Sequence, residues 1–334
     1  MNAPRARPVP EAVGIVGAGR AGLTLALALR QRRHPVWLWV RDSARREALL
    51  ADPAIGADPG LRLDAFPQPD WAALPTVALA VPDGALLDVA SDLQLRGALG
   101  PQALLFHLAG ALPASHLEAA LRALPSLRLA AAHPLAALPD LLTLAPGPPR
   151  RAGLRALKGA TWALDGTPEA LAALRRLVGK LGRHMLQLAP ADRAAWHAAA
   201  AIVANDLAAL LMVGEAVARA AGVEATAIRA GHLHLAHSAL QALAALPTAA
   251  PLWRGLTGAV RRGDAATIGH HLEVLQQAAL ATPNNAPLQA AAPAHQLLSS
   301  VLVETLATAQ ALDAAQLRAL RHALLAAASK LSGG

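Results

Sequence analysis

Ala12-Val13-Gly14-Ile15-Val16-Gly17-Ala18-Gly19-Arg20-Ala21-Gly22 decides the fold of this chain. An apolar run ends in G-x-G-x-x-G, and the alanine- and leucine-rich segment 23–29 follows, which predicts strand, tight turn and helix in that order. In such a unit Gly17 lets the chain turn, Gly19 lets backbone approach a pyrophosphate, and Gly22 lets the helix pack close on the strand. The unpaired N–H groups at the helix start then face the phosphates, helped by the helix dipole. Gly17, Ala18, Gly19, Arg20, Ala21 and Gly22 are therefore candidate cofactor-binding residues. Glycine pairs also mark ordinary turns, so the segments that follow must carry the reading.

A second apolar run, 35–40, comes after a helix-length gap, as the second strand of a βαβ unit should. At its end stands Arg41-Asp42-Ser43-Ala44-Arg45-Arg46, about 20 residues past the glycines, where the ribose is read. An acid there selects a free 2′-hydroxyl, whereas arginines select a 2′-phosphate through bidentate contacts. Arg41, Ser43 and Arg45 favour NADP, and Asp42 keeps NAD as the alternative. The arginines can equally form the solvated first turn of the next helix.

The chain has 334 residues, enough for two domains with separate cores, and 54% of them are hydrophobic, far from a disordered composition. Its formal charge of +8 invites a nucleic-acid reading, but arginine supplies nearly all of it in scattered positions. With no Tyr and only 2 Phe there are few platforms for stacking bases, so no nucleic-acid partner is expected. The absence of cysteine removes disulfides, thiolate nucleophiles and cysteine metal sites. Segment 1–11 is rich in proline and arginine and lacks the apolar core of a signal peptide. Apolar stretches such as 201–220 are interrupted by Asn205, Asp206, Glu215 and Arg219, so no membrane span is expected and the cytoplasm is the expected compartment.

Further strands are expected at 61–63, 77–81, 103–106 and 127–132, with helices between them. Asp83 reads as the cap of a helix that presents Leu86, Val89, Ala90 and Leu93 on one face, and Ser115-x-x-Glu118 reads as a capping box. The alternation predicts a doubly wound parallel sheet over 1–150, a dinucleotide-binding Rossmann domain. Ligands lie beyond the carboxyl ends of such strands. There Val81, Pro82, Asp83 and His107 are candidate cofactor contacts, and His133 is a candidate substrate contact. Each also has a plain structural reading, as a cap or as a partner of loop carbonyls. A Pro-rich connection spans 139–149. Segment 151–189 adds short strands at 161–164 and 185–188 around a helix over 167–181, completing the sheet.

From 190 to 334 the pattern is helical, an all-α domain for substrate and dimerisation. On the long helix 190–221, His197 and Asn205 lie two turns apart on an alanine-lined stripe, roughly 12 Å. They are the candidate catalytic pair, although a lone histidine on such a helix is more often a hydrogen-bonded core residue. Leu256-Thr257-Gly258-Ala259-Val260-Arg261-Arg262-Gly263-Asp264 is a second polar cluster, in which Thr257, Gly258, Arg262 and Asp264 are candidate substrate contacts. Asp264 also suits the N-cap of the next helix. His232, His234 and His237 lack a completing carboxylate or cysteine, and no metal site is expected. The apolar stripes of 297–331 suit either internal packing or a homodimer interface.

Taken together, these stretches resemble the bacterial family of Rossmann-like proteins with a DUF2520 C-terminal domain, often labelled NADP oxidoreductases of the coenzyme F420-dependent type. The resemblance runs from about 12 to 280 and rests on five motifs in order. They are the glycine turn 17–22, His107-Leu108-Ala109-Gly110-Ala111-Leu112, Ala132-His133-Pro134-Leu135, Trp196-His197-Ala198-Ala199 through Asn205, and 256–264. Ala109, Trp196 and Ala259 depart from the family's usual Ser, Tyr and Pro. The wider superfamily includes 3-hydroxyacid dehydrogenases, imine reductases and ketopantoate reductases. Its members place a lysine on the long helix, which this chain lacks, and His197 takes that place. The resemblance implies an NADP-dependent reductase of a small carbonyl or imine acid, ketopantoate-like in one version, acting in an interdomain cleft. His197 would be the acid, Asn205 the partner of the carbonyl oxygen and Arg262 the carboxylate clamp. A dinucleotide-binding sensor without turnover is the alternative.

Overall fold

The computed structural model describes residues 10–331, so residues 1–9 of the segment read as carrying no signal peptide lie outside the described residues. By its contacts the chain divides into two compact units, Met1–Ile202 and Val203–Gly334. The division falls at 202 and not at 190, because the first turns of the long helix belong to the first unit through Arg193, described below.

The first unit is built on an eight-stranded sheet of order β3-β2-β1-β4-β5-β6-β7-β8. Its strands are β1 (Val13–Val16), β2 (Val36–Trp39), β3 (Leu61–Asp64), β4 (Thr76–Leu79), β5 (Leu104–His107), β6 (Arg128–Leu135), β7 (Thr161–Gly166) and β8 (His184–Gln187). The central ones, β1, β4 and β5, are buried along their whole length, which is why they read as unbroken apolar runs. Alternate residues serve opposite faces: Ala78, Leu104 and Phe106 join one core, and Val77, Leu79 and Leu105 the other. The helices are α1 (Arg20–Arg30), α2 (Ser43–Ala51), α3 (Leu86–Leu95), α4 (Pro148–Gly159), α5 (Pro168–Val178) and α6 (Arg193–Ala201).

Four expectations change. The sheet is parallel from β3 to β6, but β7 runs antiparallel to β6, with Thr161 opposite Leu135. The chain between those residues makes an excursion and returns to the same end of β6, so β7 must start there. His133 consequently lies inside β6, not at its end. Asp83 opens a short 3-10 turn, Asp83–Ala85, and forms no side-chain cap on α3. The Ser115–Glu118 capping box is absent: Ala114–Ala120 is 3-10, and the Ala114 N–H donates to Asp165 Oδ2 at 2.7 Å instead.

The second unit is all helical, with α7 (Leu207–Ala220), α8 (Ala225–Ala244), α9 (Gly258–Arg262), α10 (Ala265–Ala281), α11 (Ala286–Thr308) and α12 (Ala314–Leu331). Its core gathers Val260, Ile268, Leu272, Val303, Leu306, Leu320 and Leu324. A π-helical turn, Ile202–Asp206, sits at the junction of the units. The helix Pro190–Ala220 is long and apolar enough to cross a membrane, with mean hydropathy 1.7. It nevertheless carries Arg193, which is wholly buried in the first unit, besides Asn205, Asp206, Glu215 and Arg219.

Candidate active site

The glycine turn between β1 and α1 shows three different reasons for glycine. Gly17 has φ +99°, and a Cβ there would lie 2.5 Å from the Ala80 carbonyl oxygen. A Cβ on Gly22 would collide with the Gly17 carbonyl, so this residue sets how closely α1 meets β1. At Gly19 a Cβ would meet nothing within 4 Å, and φ is −68°. Neither backbone strain nor packing within the protein demands glycine at 19. Glycine there leaves this part of the cavity wall free of any side chain. Gly19 is the N-cap of α1 and supplies no side-chain cap, so the first N–H groups of the helix stay open to an anion. Ala18 is buried, Arg20 is exposed, and Ala21 packs against the core.

Beside this turn lies a cavity of about 250 Å³ lined by Gly17, Ala18, Gly19, Trp39, Arg41, Asp42, Arg45, Val81 and Pro82, among others. The structure therefore brings the glycine turn, the corner at 41–45 and the end of β4 together around one cavity. Asp42, whose acid kept NAD open, is the N-cap of α2 and accepts the Arg45 N–H at 2.8 Å. Arg41 is exposed on the cavity wall, and Ser43 is the exposed first residue of α2. Arg45 is engaged with the protein itself: Nε donates to Ala18 O, and both terminal nitrogens donate to the carboxylate of Asp140. Asp83 is exposed and, like His107, is absent from the residues that line the cavity.

Beyond β5 the loop 108–114 is held from five sides. His133 Nδ1–H donates to Leu108 O at 3.1 Å, and His107 Nε2–H donates to Pro113 O at 3.1 Å. Arg193 donates through Nε to Leu112 O at 2.6 Å and through Nη2 to Ala109 O at 2.8 Å. Asp165 takes the N–H of Ala114. The His197 ring seats directly on Gly110, where a Cβ would strike its Nδ1, and it stands edge-on to His133 with ring centroids 5.2 Å apart. The histidine of the long helix and His133 thus stand ring against ring in the first unit, while His107 holds the far end of the same loop.

Burial sets the electrostatics. His107 is fully buried, and desolvation pushes its pKa down to about 4, against the helpful bond to Pro113. His133 is lowered in the same way, with the His197 charge adding to the effect. Arg193 is 0% exposed, and burial pulls its guanidinium down while the Asp165 carboxylate opposes. Its Nη1, His107 Nδ1, Trp196 Nε1 and His197 Nδ1 are all buried without a partner. So many orphaned polar atoms on one helix and one strand end mark a place built for more than packing.

Sequence reasoning missed Arg193, Asp140 and Asp165. Arg193 stands four residues before His197, one helical turn, and that spacing was the available signal. Nothing local distinguishes Asp140 or Asp165, because their partners lie far along the chain.

The remaining candidates lie in the second unit. Asn205 sits in the π-helical turn and is exposed, so the stripe drawn from His197 with α-helical spacing does not hold through 202–206. Asp264 caps α10, accepting from Thr267 N–H and Oγ1–H, and these bonds hold its carboxyl below the usual range. Thr257 precedes α9, Gly258 has φ +87° with open space around it, and Arg262 is exposed. Arg261 is turned to Ala311 O and the Trp253 ring.

A family model described as a domain of unknown function, DUF2520, matches residues 160–288. Among solved structures, the chain is similar to protein TM1727 from Thermotoga maritima, at 18% identity and TM-score 0.57, over 89% of this chain and 99% of that one. It is also similar to BF3122 from Bacteroides fragilis, provisionally named an NADP oxidoreductase, at 17% identity and TM-score 0.62, over 88% and 98%. A third is the Plasmodium falciparum pyrroline carboxylate reductase with NADP bound, at 9% identity and TM-score 0.53, over 87% and 99%. At such identities what is shared is the fold.

Proposed function

We propose that this chain is an NADP-dependent oxidoreductase that reduces a carbonyl or imine carbon of a small acid, either a ketopantoate-like oxo acid or an imine acid. The observation that carries the reading is the glycine turn at an uncapped helix N-terminus, where Gly17 to Gly19 line the cavity and the first N–H groups of α1 stay open to an anion. Arg41 beside the same cavity, with Asp42 withdrawn into a cap, favours the 2′-phosphate over the free hydroxyl. The names of two fold relatives, an NADP oxidoreductase and a reductase with NADP bound, point the same way.

When bound, the nicotinamide would supply the hydride. The first N–H groups of α1 would hold the pyrophosphate, and Arg41 with Ser43 would hold the 2′-phosphate. His197 would carry the proton at Nε2, since Nδ1 is buried against Gly110. Gly110 and His133 would fix the ring of His197 from below and from the side.

Titration with NADPH and NADH, followed by turnover on oxo acids and imine acids, tests this. Arg41→Glu should reverse the preference towards NADH. His197→Ala should lower turnover at least tenfold and leave nucleotide affinity nearly intact. Failure of the native chain to bind either nucleotide removes the proposal. Binding without turnover on any such acid would favour a sensor.

We also propose that the helical unit pairs with a second copy of the chain. The support is the apolar surface it leaves open, which includes Met212, Leu235, Leu280, Leu297 and Val301.

A further inference from the structure

Arg45 is the residue whose position in the structure differs most from the role its sequence position suggests. Its Nε donates to Ala18 O at 2.5 Å, and Nη1 and Nη2 donate to the two Asp140 oxygens at 3.0 and 2.9 Å. Ala18 O belongs to the peptide unit that also carries the N–H of Gly19. There are no cis peptides among the described residues, and in a trans peptide C=O and N–H point opposite ways. By holding the carbonyl, Arg45 fixes the plane of the peptide whose N–H belongs to Gly19, a residue that is exposed and lines the cavity.

Asp140 is itself fixed. It accepts the Leu142 N–H at 3.2 Å, and its own carbonyl accepts from Thr143 Oγ1–H at 2.9 Å. The connection that carries it is anchored again by Arg150, which pairs with Asp52 at 2.8 Å and donates to the carbonyls of Leu141 and Leu144. Asp52 is the C-cap residue of α2, and Arg45 lies in the first turn of that helix. The Pro-rich connection is therefore bolted to both ends of α2, and through Arg45 to the glycine turn.

We propose that Arg45 and Asp140 are a positioning pair that presents the Gly19 N–H to the nucleotide's pyrophosphate, and that Arg45 does not read the 2′-phosphate. The proposal rests on the dinucleotide-binding reading above and adds a division of labour to it. Arg41 and Ser43 discriminate between nucleotides, while Arg45 and Asp140 serve both alike.

The test is calorimetric titration of the full chain and its Arg45→Met, Asp140→Asn and double variants with NADPH and with NADH, beside thermal unfolding of each. Asp140→Asn keeps the size of the side chain and its acceptor for Leu142, so it is the variant least able to disturb folding. We expect Arg45→Met to weaken both nucleotides about tenfold and Asp140→Asn several-fold, on the scale of a lost charge-assisted bond. The NADPH to NADH ratio should stay within about twofold, and the double variant should fall close to Arg45→Met alone, as residues of one unit do. A selective loss of NADPH in Arg45→Met would overturn the proposal and make Arg45 a phosphate reader. Unchanged affinity for both nucleotides in both single variants would also overturn it. Absence of binding by the native chain overturns the functional reading itself, and this proposal with it.

Discussion

His107 and His133 show how a single residue can be legible as polar and still be misjudged. His107 ends β5 and His133 lies inside β6, and each donates one ring N–H to a loop carbonyl, which fixes the neutral tautomer in the fold. Burial holds both pKa values below that of the unfolded chain, His107 at about 4 against 6.5. Below pH 6.5 the unfolded chain gains protons that the folded chain refuses. The stability these residues contribute is therefore complete above that pH and is lost as pH falls toward 4. For His107 alone the difference amounts to roughly 3 kcal/mol. Asp52, Asp58 and Asp140, lowered by their arginines, act at lower pH, as it falls below the ordinary carboxylate range. Urea unfolding at pH 7 and pH 5 should show a marked fall in midpoint. His107→Gln should flatten the profile between those values, and an equally steep profile in that variant would remove His107 as the cause.

Among the elements, the strands and the glycine turn were readable because their signals are local. A buried parallel strand is a short apolar run, and a G-x-G-x-x-G turn is a spacing. The connection 139–149 is the opposite case. Its prolines read as a linker, yet it carries Asp140 and is fastened by ion pairs to Arg45 and, just beyond it, from Arg150 to Asp52. Those partners are separated by 95 and 98 residues, so no local pattern announces them. Helix α4, which follows, went unread for the same reason, since Pro148 at its start looked like more linker. The loop 108–114 is intermediate: Gly110 could be seen in the sequence, but the need for it comes from His197. Removing Arg193 should loosen that loop, because Ala109 O and Leu112 O would lose their donor. Arg193→Met should cost about 2 kcal/mol in urea unfolding and accelerate hydrogen exchange over 108–114 more than over β1 or β4. A uniform change in exchange across the unit would show the arginine to be ordinary packing.

At the scale of the molecule the two units differ in how completely they bury what they carry. The first encloses Trp39, Trp71, Trp162 and most of its leucines on the two faces of one sheet. The second leaves Leu280 82% exposed, Leu297 66%, Leu235 65%, Met212 63% and Val301 55%. Leu297 and Val301 are one turn apart on α11, so their exposure is a stripe and not a scatter. Exposed stripes of this kind are covered when a second copy or another apolar phase is present. Sedimentation velocity at about 10 µM, a concentration at which an ordinary specific interface persists, should therefore give twice the monomer mass, and the unfolding temperature should fall on dilution. Leu297→Asp with Val301→Asp should return the monomer and leave the proposed nucleotide binding by the first unit unchanged. A native chain that sediments as a monomer and co-sediments with lipid vesicles would assign this surface, and the apolar helix Pro190–Ala220, to a bilayer instead.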